Sequence, residues 1–301
     1  RNPMKLLICT QTVDKNDSYL GFFVRWLEEF AKQCEQVTVI CLRKGEHDLP
    51  PNVRVFPLGG KNKVTRAYKL LKGASKFRDN YDAVLVHMNP EYLVVAGWLW
   101  KLLRKRTALW YLHKSVDLKL RIAEKFADII FTASKESFRL KSAKVRVMGH
   151  GIDTDFFSPD PMAQRNDSAL SVGRLMKVKR HDLAIRAVQY TPRDLWIAGE
   201  GPEANALAAL AEKLQVAGRV HFLGGRTQAE LRELYRRSGV LVHTSETGSL
   251  DKVVLEALAC GLPVVTTSKS LETLPVTIAE PMPQALAAAL SAPTPAAPAY
   301  V

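Results

Sequence analysis

Apolar positions along the chain fall into short β-branched runs that alternate with stretches of helical periodicity, and the rhythm starts over once near the middle. In the first half, runs at 5–9, 37–42, 53–58, 83–88, 108–113, 128–134 and 145–148 read as strands. A loop at 10–17 leads into a helix with Phe22, Phe23, Trp26, Leu27 and Phe30 on one side, and further helices are expected around 61–78 and after Pro90. In the second half, strands at 169–172, 195–198, 220–223, 240–245 and 264–267 alternate with helices at 182–189, 202–216 and 228–238 and with one that starts near Asp251. Near-continuous apolar strands separated by helices require a parallel sheet covered on both faces. The expected fold class is α/β, with two Rossmann-like, doubly wound parallel-sheet domains at 1–157 and 168–280. The polar segment 158–167 reads as a linker, and 281–301 as an Ala/Pro tail with one short helix at 284–290.

The stretch 240–267 concentrates the candidate chemistry. A buried strand runs into the turn Thr247-Gly248-Ser249, and the helix that follows stops at Gly261 and Pro263. Leu250, Val253, Val254, Ala257 and Leu258 are expected against the sheet, with Glu256 on the surface and its carboxylate open to hydroxyl groups. A helix start fed by a glycine turn at the carboxyl end of a parallel strand offers free N–H groups to a phosphate. Between the strand at 169–172 and the next helix, Arg174, Lys177, Lys179 and Arg180 crowd one loop. By itself such a loop is a solvated basic turn; beside the glycine turn before Asp251 it becomes a diphosphate site, with arginine a planar fork and lysine a point charge. His113, at the end of a strand, is a site candidate by position, against the ordinary reading of a structural histidine. Asp153 and Asp155 could share a divalent ion. Their loop lies beside Phe156 and Phe157, which are ready to bury, so no metal is expected there.

Composition narrows the classes. With 47% apolar and 24% charged residues among 301, the chain is expected to form ordinary globular cores. Cys9, Cys34, Cys41 and Cys260 lack metal-ligand spacing and are expected as reduced core residues. No leader pattern is read near Met4, and the apolar stretch 92–100 is too short to span a bilayer, so a cytoplasmic protein is expected. Of the formal +13, the first 160 residues carry +11, from 28 Lys+Arg against 17 Asp+Glu. The helices at 61–78 and 98–106 hold the clusters, and Trp98 and Trp100 beside the second favour an anionic membrane over a merely solvated face. Nucleic acid is not expected as a partner, since no aromatics are arranged on a basic sheet.

In combination and order, several segments resemble the GT-B glycosyltransferases of family 4, retaining enzymes that use sugar nucleotides. The carriers are Val172-Gly173-Arg174-Leu175 with Lys179 and His181-Asp182-Leu183, Ala198-Gly199-Glu200-Gly201-Pro202, Phe222-Leu223-Gly224, and Leu255-Glu256-Ala257 through Gly261-Leu262-Pro263-Val264-Val265. The first half adds Ala127-Asp128-Ile129-Ile130 through Ser134, and Gly149-His150-Gly151-Ile152-Asp153. The resemblance covers nearly the whole chain. It implies a donor nucleotide on the second domain and an acceptor on the first, facing across a cleft. It further implies that Arg174 and Lys179 hold the donor diphosphate, that Glu256 binds ribose hydroxyls, and that His113 contacts the transferred sugar. Gly21 would let backbone approach the donor, and Gly248, Ser249 and Leu250 would line it. The implied reaction moves a hexose-type sugar from a nucleoside diphosphate sugar, the co-substrate, to a glycan or glycolipid hydroxyl, with no metal and no other cofactor. Two departures stand out. The first acid of the family's Glu-x7-Glu motif falls on Gly248, with Glu246 and Asp251 out of register, and the end after Val265 is expected to be abbreviated. Gly248 keeps open a sugar-nucleotide-binding protein without turnover; an epimerase of the same architecture is a further alternative.

Overall fold

The computed structural model describes residues 4–60, 62–248 and 250–292. The chain divides into two units, Arg1–Gly149 and His150–Val301.

The first unit carries β1 (Met4–Val13), α1 (Phe22–Gln33), β2 (Cys34–Lys44), β3 (Val53–Pro57), α2 (Lys63–Lys76), β4 (Ala83–His87), α3 (Glu91–Leu102), β5 (Arg106–Trp110), α4 (Leu118–Phe126), β6 (Ile129–Thr132) and β7 (Val145–Val147). Its seven strands are all parallel, in the order β3-β2-β1-β4-β5-β6-β7. Strand side chains alternate, so β1 sends Leu7 and Cys9 to a core shared with Leu70, Leu93, Trp100 and Leu120 of α2, α3 and α4. Leu6 and Ile8 point the other way, to Phe23 and Leu27 of α1. The order reverses between β1 and β4, the switch point at which open α/β sheets leave a crevice beyond their carboxyl ends.

The second unit carries β8 (Ala169–Val172), α5 (His181–Ala187), β9 (Leu195–Ala198), α6 (Ala204–Lys213), β10 (Val220–Gly224), α7 (Gln228–Arg237), β11 (Val240–His243), α8 (Lys252–Ala259), β12 (Val264–Thr266), β13 (Thr277–Ile278) and α9 (Pro283–Ser291). Its parallel sheet runs β10-β9-β8-β11-β12-β13, switching at β8 and β11. Thr227 and Glu230 close a capping box at the start of α7.

Four expectations are corrected. The division falls at Gly149, ahead of the expected 157, and Phe157 is buried against Leu170, Tyr235 and Leu241 of the second unit. The polar segment 158–167 is bound to that unit as well. Arg165 donates to the carbonyls of Tyr235, Ser238 and Cys260, each at 3.0 Å, and so caps the ends of α7 and α8. Trp100 is fully buried, while Trp98 is 51% exposed, so only one of the two tryptophans stands at the surface. Beyond the last expected strand, at 264–267, comes a further strand, β13, and α9 lies close to the expected 284–290. The tail beyond Ala292 lies outside the described residues. All four cysteines are free and buried, as expected.

Candidate functional site

Backbone hydrogen bonds hold the cationic loop after β8 to the turn after β9. Gly173 N donates to Ala198 O at 3.0 Å and Leu175 N to Glu200 O at 2.8 Å, which locks it to the turn after β9. At Gly199, φ is +151°, and an added Cβ would lie 1.9 Å from the Gly173 carbonyl oxygen; at Gly201 it would lie 2.4 Å from that of Leu175. Only glycine allows the two turns to meet this closely. On this platform Arg174 is exposed, and its side chain makes no hydrogen bond or ion pair among the described residues.

Lys179 points the other way. Its Nζ lies 2.6 Å from Asp251 Oδ2, at the residue preceding α8. The same oxygen accepts from His243 Nε2 at 2.9 Å, and His243 Nδ1 lies 2.9 Å from Thr266 Oγ1. Burial works to raise the Asp251 carboxyl; the hydrogen bond from His243 and the charge of Lys179 outweigh it and hold the group well below the usual carboxylate range. Thr244 Oγ1 donates to the carbonyls of Lys179 and Arg180 at 3.0 and 2.8 Å, and Glu246 N to Val178 O at 2.9 Å. The basic loop and the segment between β11 and α8 are thus one structure, as the paired motifs led us to expect. Arg180, in the left-handed region at φ +52°, is turned toward Asp182 and Glu246 and away from the role of a free cation.

Glu256 is not on the surface as expected; it is 3% exposed. It sits on the eight-residue α8, whose Val254, Ala257 and Leu258 are also buried, so the helix has little outward face. Tyr235 Oη donates to its Oε2 at 3.1 Å, and Lys252 Nζ stands 3.7 Å from Oε1. Burial pushes the Glu256 carboxyl up and the Lys252 ammonium down, and each partner's charge works against that shift. Gly248 turns the chain at φ +57°, and Leu250 packs against the core beside α8. Ser249 lies outside the described residues.

Two sequence-predicted site residues belong to the first unit. Gly21 begins α1, where a Cβ would lie 2.6 Å from Asp17 O; a packed loop backbone requires glycine there. His113 is exposed and lies past the end of β5 at Trp110, not at the strand end as expected, with its ring 6.2 Å from that of Tyr111. Sequence reasoning overlooked His243, Lys252 and Tyr235. The available signal was a histidine closing the apolar run of β11 eight residues before an aspartate at a helix start. Among the described residues no group of three His, Cys, Asp or Glu could hold a metal ion. Asp153 Oδ1 instead accepts from Phe156 N at 2.9 Å.

Residues 155–292 match the family model described as glycosyl transferases group 1. The second unit is thus similar to this family over most of its length. The D-inositol 3-phosphate glycosyltransferase of Mycobacteroides abscessus is 33% identical over 153 residues, covering 46% of this chain and 34% of the relative; that of Mycobacterium sp. (strain JLS) is 30% identical over 159 residues, covering 48% and 36%. The match thus spans about a third of the length of these curated relatives. Among solved structures, Anabaena Alr3699/HepE in complex with UDP-glucose superposes with a TM-score of 0.76 at 19% identity, over 96% of this chain and 89% of that one. WaaG, a glycosyltransferase involved in lipopolysaccharide biosynthesis, gives 0.69 at 17% identity, over 95% and 90%. At these identities the likeness establishes the fold, which is GT-B. In the second unit the glycine platform, Arg174 and the start of α8 stand at the carboxyl ends of β8, β9 and β11, where a doubly wound sheet leaves room for a ligand.

The same domain carries an acid-sensitive core. His181 is 3% exposed beside Ser171 Oγ at 2.9 Å, and burial lowers its pKa to about 4; burial does the same for His150. The unfolded chain takes up these protons below roughly pH 6.5, whereas the folded chain resists until about 4. Their contribution to stability is therefore complete above about pH 6.5 and is lost as the pH falls toward 4. The urea midpoint is expected to drop between pH 7 and 5, and less steeply in His181→Gln. Parallel pH profiles for the two proteins would remove His181 from this account.

Proposed function

We propose that the chain is a retaining, metal-independent transferase that moves a hexose-type sugar from a nucleoside diphosphate sugar to an acceptor hydroxyl of a lipid-linked or cell-surface glycan. The observation that carries this reading is Arg174, an exposed guanidinium without a partner among the described residues, on a glycine-locked loop that also bears Lys179. Negative charge grows on the departing diphosphate as the bond to the sugar breaks, and a preorganised fork and point charge stabilise it. Lys179 exchanges Asp251 for phosphate. The departing phosphate oxygen takes the acceptor proton. Gly248, Ser249, Leu250 and Glu256 are assigned to the nucleotide, with Glu256 on the ribose; the assignments of Gly21 and His113 rest on the family resemblance alone. HepE's complexes with UDP and UDP-glucose support a uridine nucleotide as the first donor to try.

Calorimetry with UDP-glucose in EDTA, followed by transfer of labelled glucose to a glycolipid extract and NMR of the anomeric centre, tests the proposal. We expect binding and transfer with retained configuration. Transfer that appears only when magnesium or manganese is restored would end the metal-free assignment. A second reading, a sugar-nucleotide-binding protein without turnover, is favoured by Gly248 and by the neutralised Lys179. It predicts binding with neither transfer nor hydrolysis.

We further propose that the first unit docks on anionic membrane. Among the described residues no helix is long and apolar enough to cross a bilayer. Yet Val64 and Tyr68 on α2 and Trp98 and Leu102 on α3 are more than half exposed, between the exposed Lys69, Lys72, Lys76, Arg104 and Arg106. Each such cation contributes about 1 kcal/mol near an anionic surface. Cosedimentation with anionic vesicles at low salt is expected, and its loss when those five cations are neutralised. Lys105 is left alone, because it donates to Tyr81 O and lies over that ring. Equal partitioning onto neutral vesicles would leave the charge to solubility.

A further inference from the structure

Asp251 places an anion inside the proposed donor site. Lys179 Nζ lies 2.6 Å from Asp251 Oδ2, and among the described residues this carboxylate is the ammonium's single hydrogen-bonding partner. Both side chains are less than one-fifth exposed, which keeps the pair sheltered and still within reach of a ligand at the rim. The Asp251 carboxyl is held well below the usual carboxylate range, so the acid is charged at any working pH. Two opposite charges this close offer little net field to an approaching diphosphate, which meets Arg174 alone.

The partners depend on the contact unequally. Asp251 Oδ2 also accepts from His243 Nε2 at 2.9 Å. A carboxylate only accepts, which puts a proton on Nε2. In the neutral ring Nδ1 then accepts from the Thr266 hydroxyl at 2.9 Å, and that oxygen accepts in turn from Ser268 N at 3.1 Å. His243 and Thr266 are buried, so this chain of hydrogen bonds still holds the acid when the lysine leaves. Lys179 is built to leave. Its backbone is fixed, with N donating to Met176 O at 2.9 Å and O accepting from Thr244 Oγ1 at 3.0 Å. Its stem passes Gly173, where an added Cβ would lie 3.6 Å from Lys179 Cδ, and Gly173 directly precedes Arg174. Rotation about the last bonds of the side chain therefore gives the ammonium to a ligand on that loop without moving the backbone. Arg180 is not a substitute, because Asp182 and Glu246 both hold it.

From this arrangement we infer that Asp251 restrains the donor site: it holds Lys179, competes with the donor's diphosphate for it, and sets the donor's affinity below what Arg174 and Lys179 together would give. The inference rests on the reading of this loop as the diphosphate site. A ligand that must first displace an internal partner binds more weakly by the fraction of molecules in which the cation is free. Replacing an acid that serves packing alone would leave affinity unchanged or lower it. Replacing a restraint raises it.

The test is calorimetry on the full chain with UDP and with inorganic pyrophosphate, the second probe being independent of base and sugar. Asp251→Asn keeps an acceptor for His243 and removes the charge, and it is expected to bind both probes at least about tenfold more tightly than the parent. Asp251→Ser removes the charge without adding an amide and is expected to do the same, which guards against a local effect of asparagine. In a Lys179→Ala background the gain from Asp251→Asn is expected to vanish, since the restraint acts through the lysine. A gain that persists there is plain repulsion between carboxylate and phosphate, and it overturns the inference. So does a pair of Asp251 variants that bind neither probe more tightly than the parent. The two readings fail differently. Binding that Arg174→Ala weakens and both Asp251 variants leave unchanged keeps the site and removes the restraint; no binding of either probe at millimolar concentration, by the parent or by either Asp251 variant, removes the site and the restraint with it.

Discussion

Arg174→Ala and Lys179→Ala are each expected to slow the proposed sugar transfer by about 10²-fold or more, through two different routes that stability measurements separate. Arg174 is exposed and makes no ion pair among the described residues, so its truncation is expected to remove only the proposed donor contact and no stability. Its thermal midpoint is expected to match the parent's. Lys179 is the partner of Asp251 at 2.6 Å, and both side chains are less than one-fifth exposed. Removing it leaves a sheltered carboxylate with His243 alone, a loss of about 1–3 kcal/mol added to the catalytic defect. Combining Lys179→Ala with Asp251→Asn should recover the midpoint without recovering transfer. The carboxylate of Asp251 is stabilised in the folded state, so its contribution is present above the unfolded carboxylate range and is lost as the pH falls through its depressed folded value. The double variant should accordingly lose less stability in acid than the parent. Wild-type kinetics in both single variants would remove the donor site from this loop.

Gly199→Ala is expected to destabilise the chain by on the order of 3 kcal/mol or more and to abolish donor binding with it. The new methyl would sit 1.9 Å from Gly173 O, and φ at +151° is unfavourable for any side chain. Neither wall can yield cheaply. Gly199 N is bonded to Gly224 O at 2.8 Å and Gly173 N to Ala198 O at 3.0 Å, so relief means breaking sheet-end hydrogen bonds and shifting the turn that presents Arg174. Gly218→Ala is the control, since nothing lies within 4 Å of the added carbon. Urea unfolding of the two variants decides the matter; equal midpoints would mean that the contact between the two turns is not a constraint on this fold.

The alternation of strands and helices was legible because it is a local property. Leu6, Leu7, Ile8 and Cys9 are apolar in succession because a central parallel strand is buried on both faces, and that pattern needs no knowledge of what covers it. The glycine turns were legible for a similar reason. Gly199 and Gly201 mark a strand-to-helix turn from composition alone, although only the structure shows that they let one turn rest on another. The basic loop at 173–180 and the start of α8 were paired correctly, since both lie at the carboxyl ends of strands in one sheet.

What periodicity missed depends on partners far away in the chain. Glu256 looked outward on its helix, yet α7 brings Tyr235 over it and α8 is too short to keep an exposed side. Trp98 and Trp100 are two positions apart and so face different directions, which sends one to solvent and the other into the core. Segment 158–167 has the composition of a linker, but Arg165 finds three helix-end carbonyls that no local pattern announces. Lys179 and Asp251 stand 72 residues apart, and Asn89 meets Gln11 across 78. Propensity and hydrophobic period act over a few residues, and they sufficed for the glycine turns and for both sheets except the two-residue edge strand β13. Whether a charge is free, paired or buried was decided by tertiary packing, because the energy of a charge depends on water and on neighbours that the fold alone brings near.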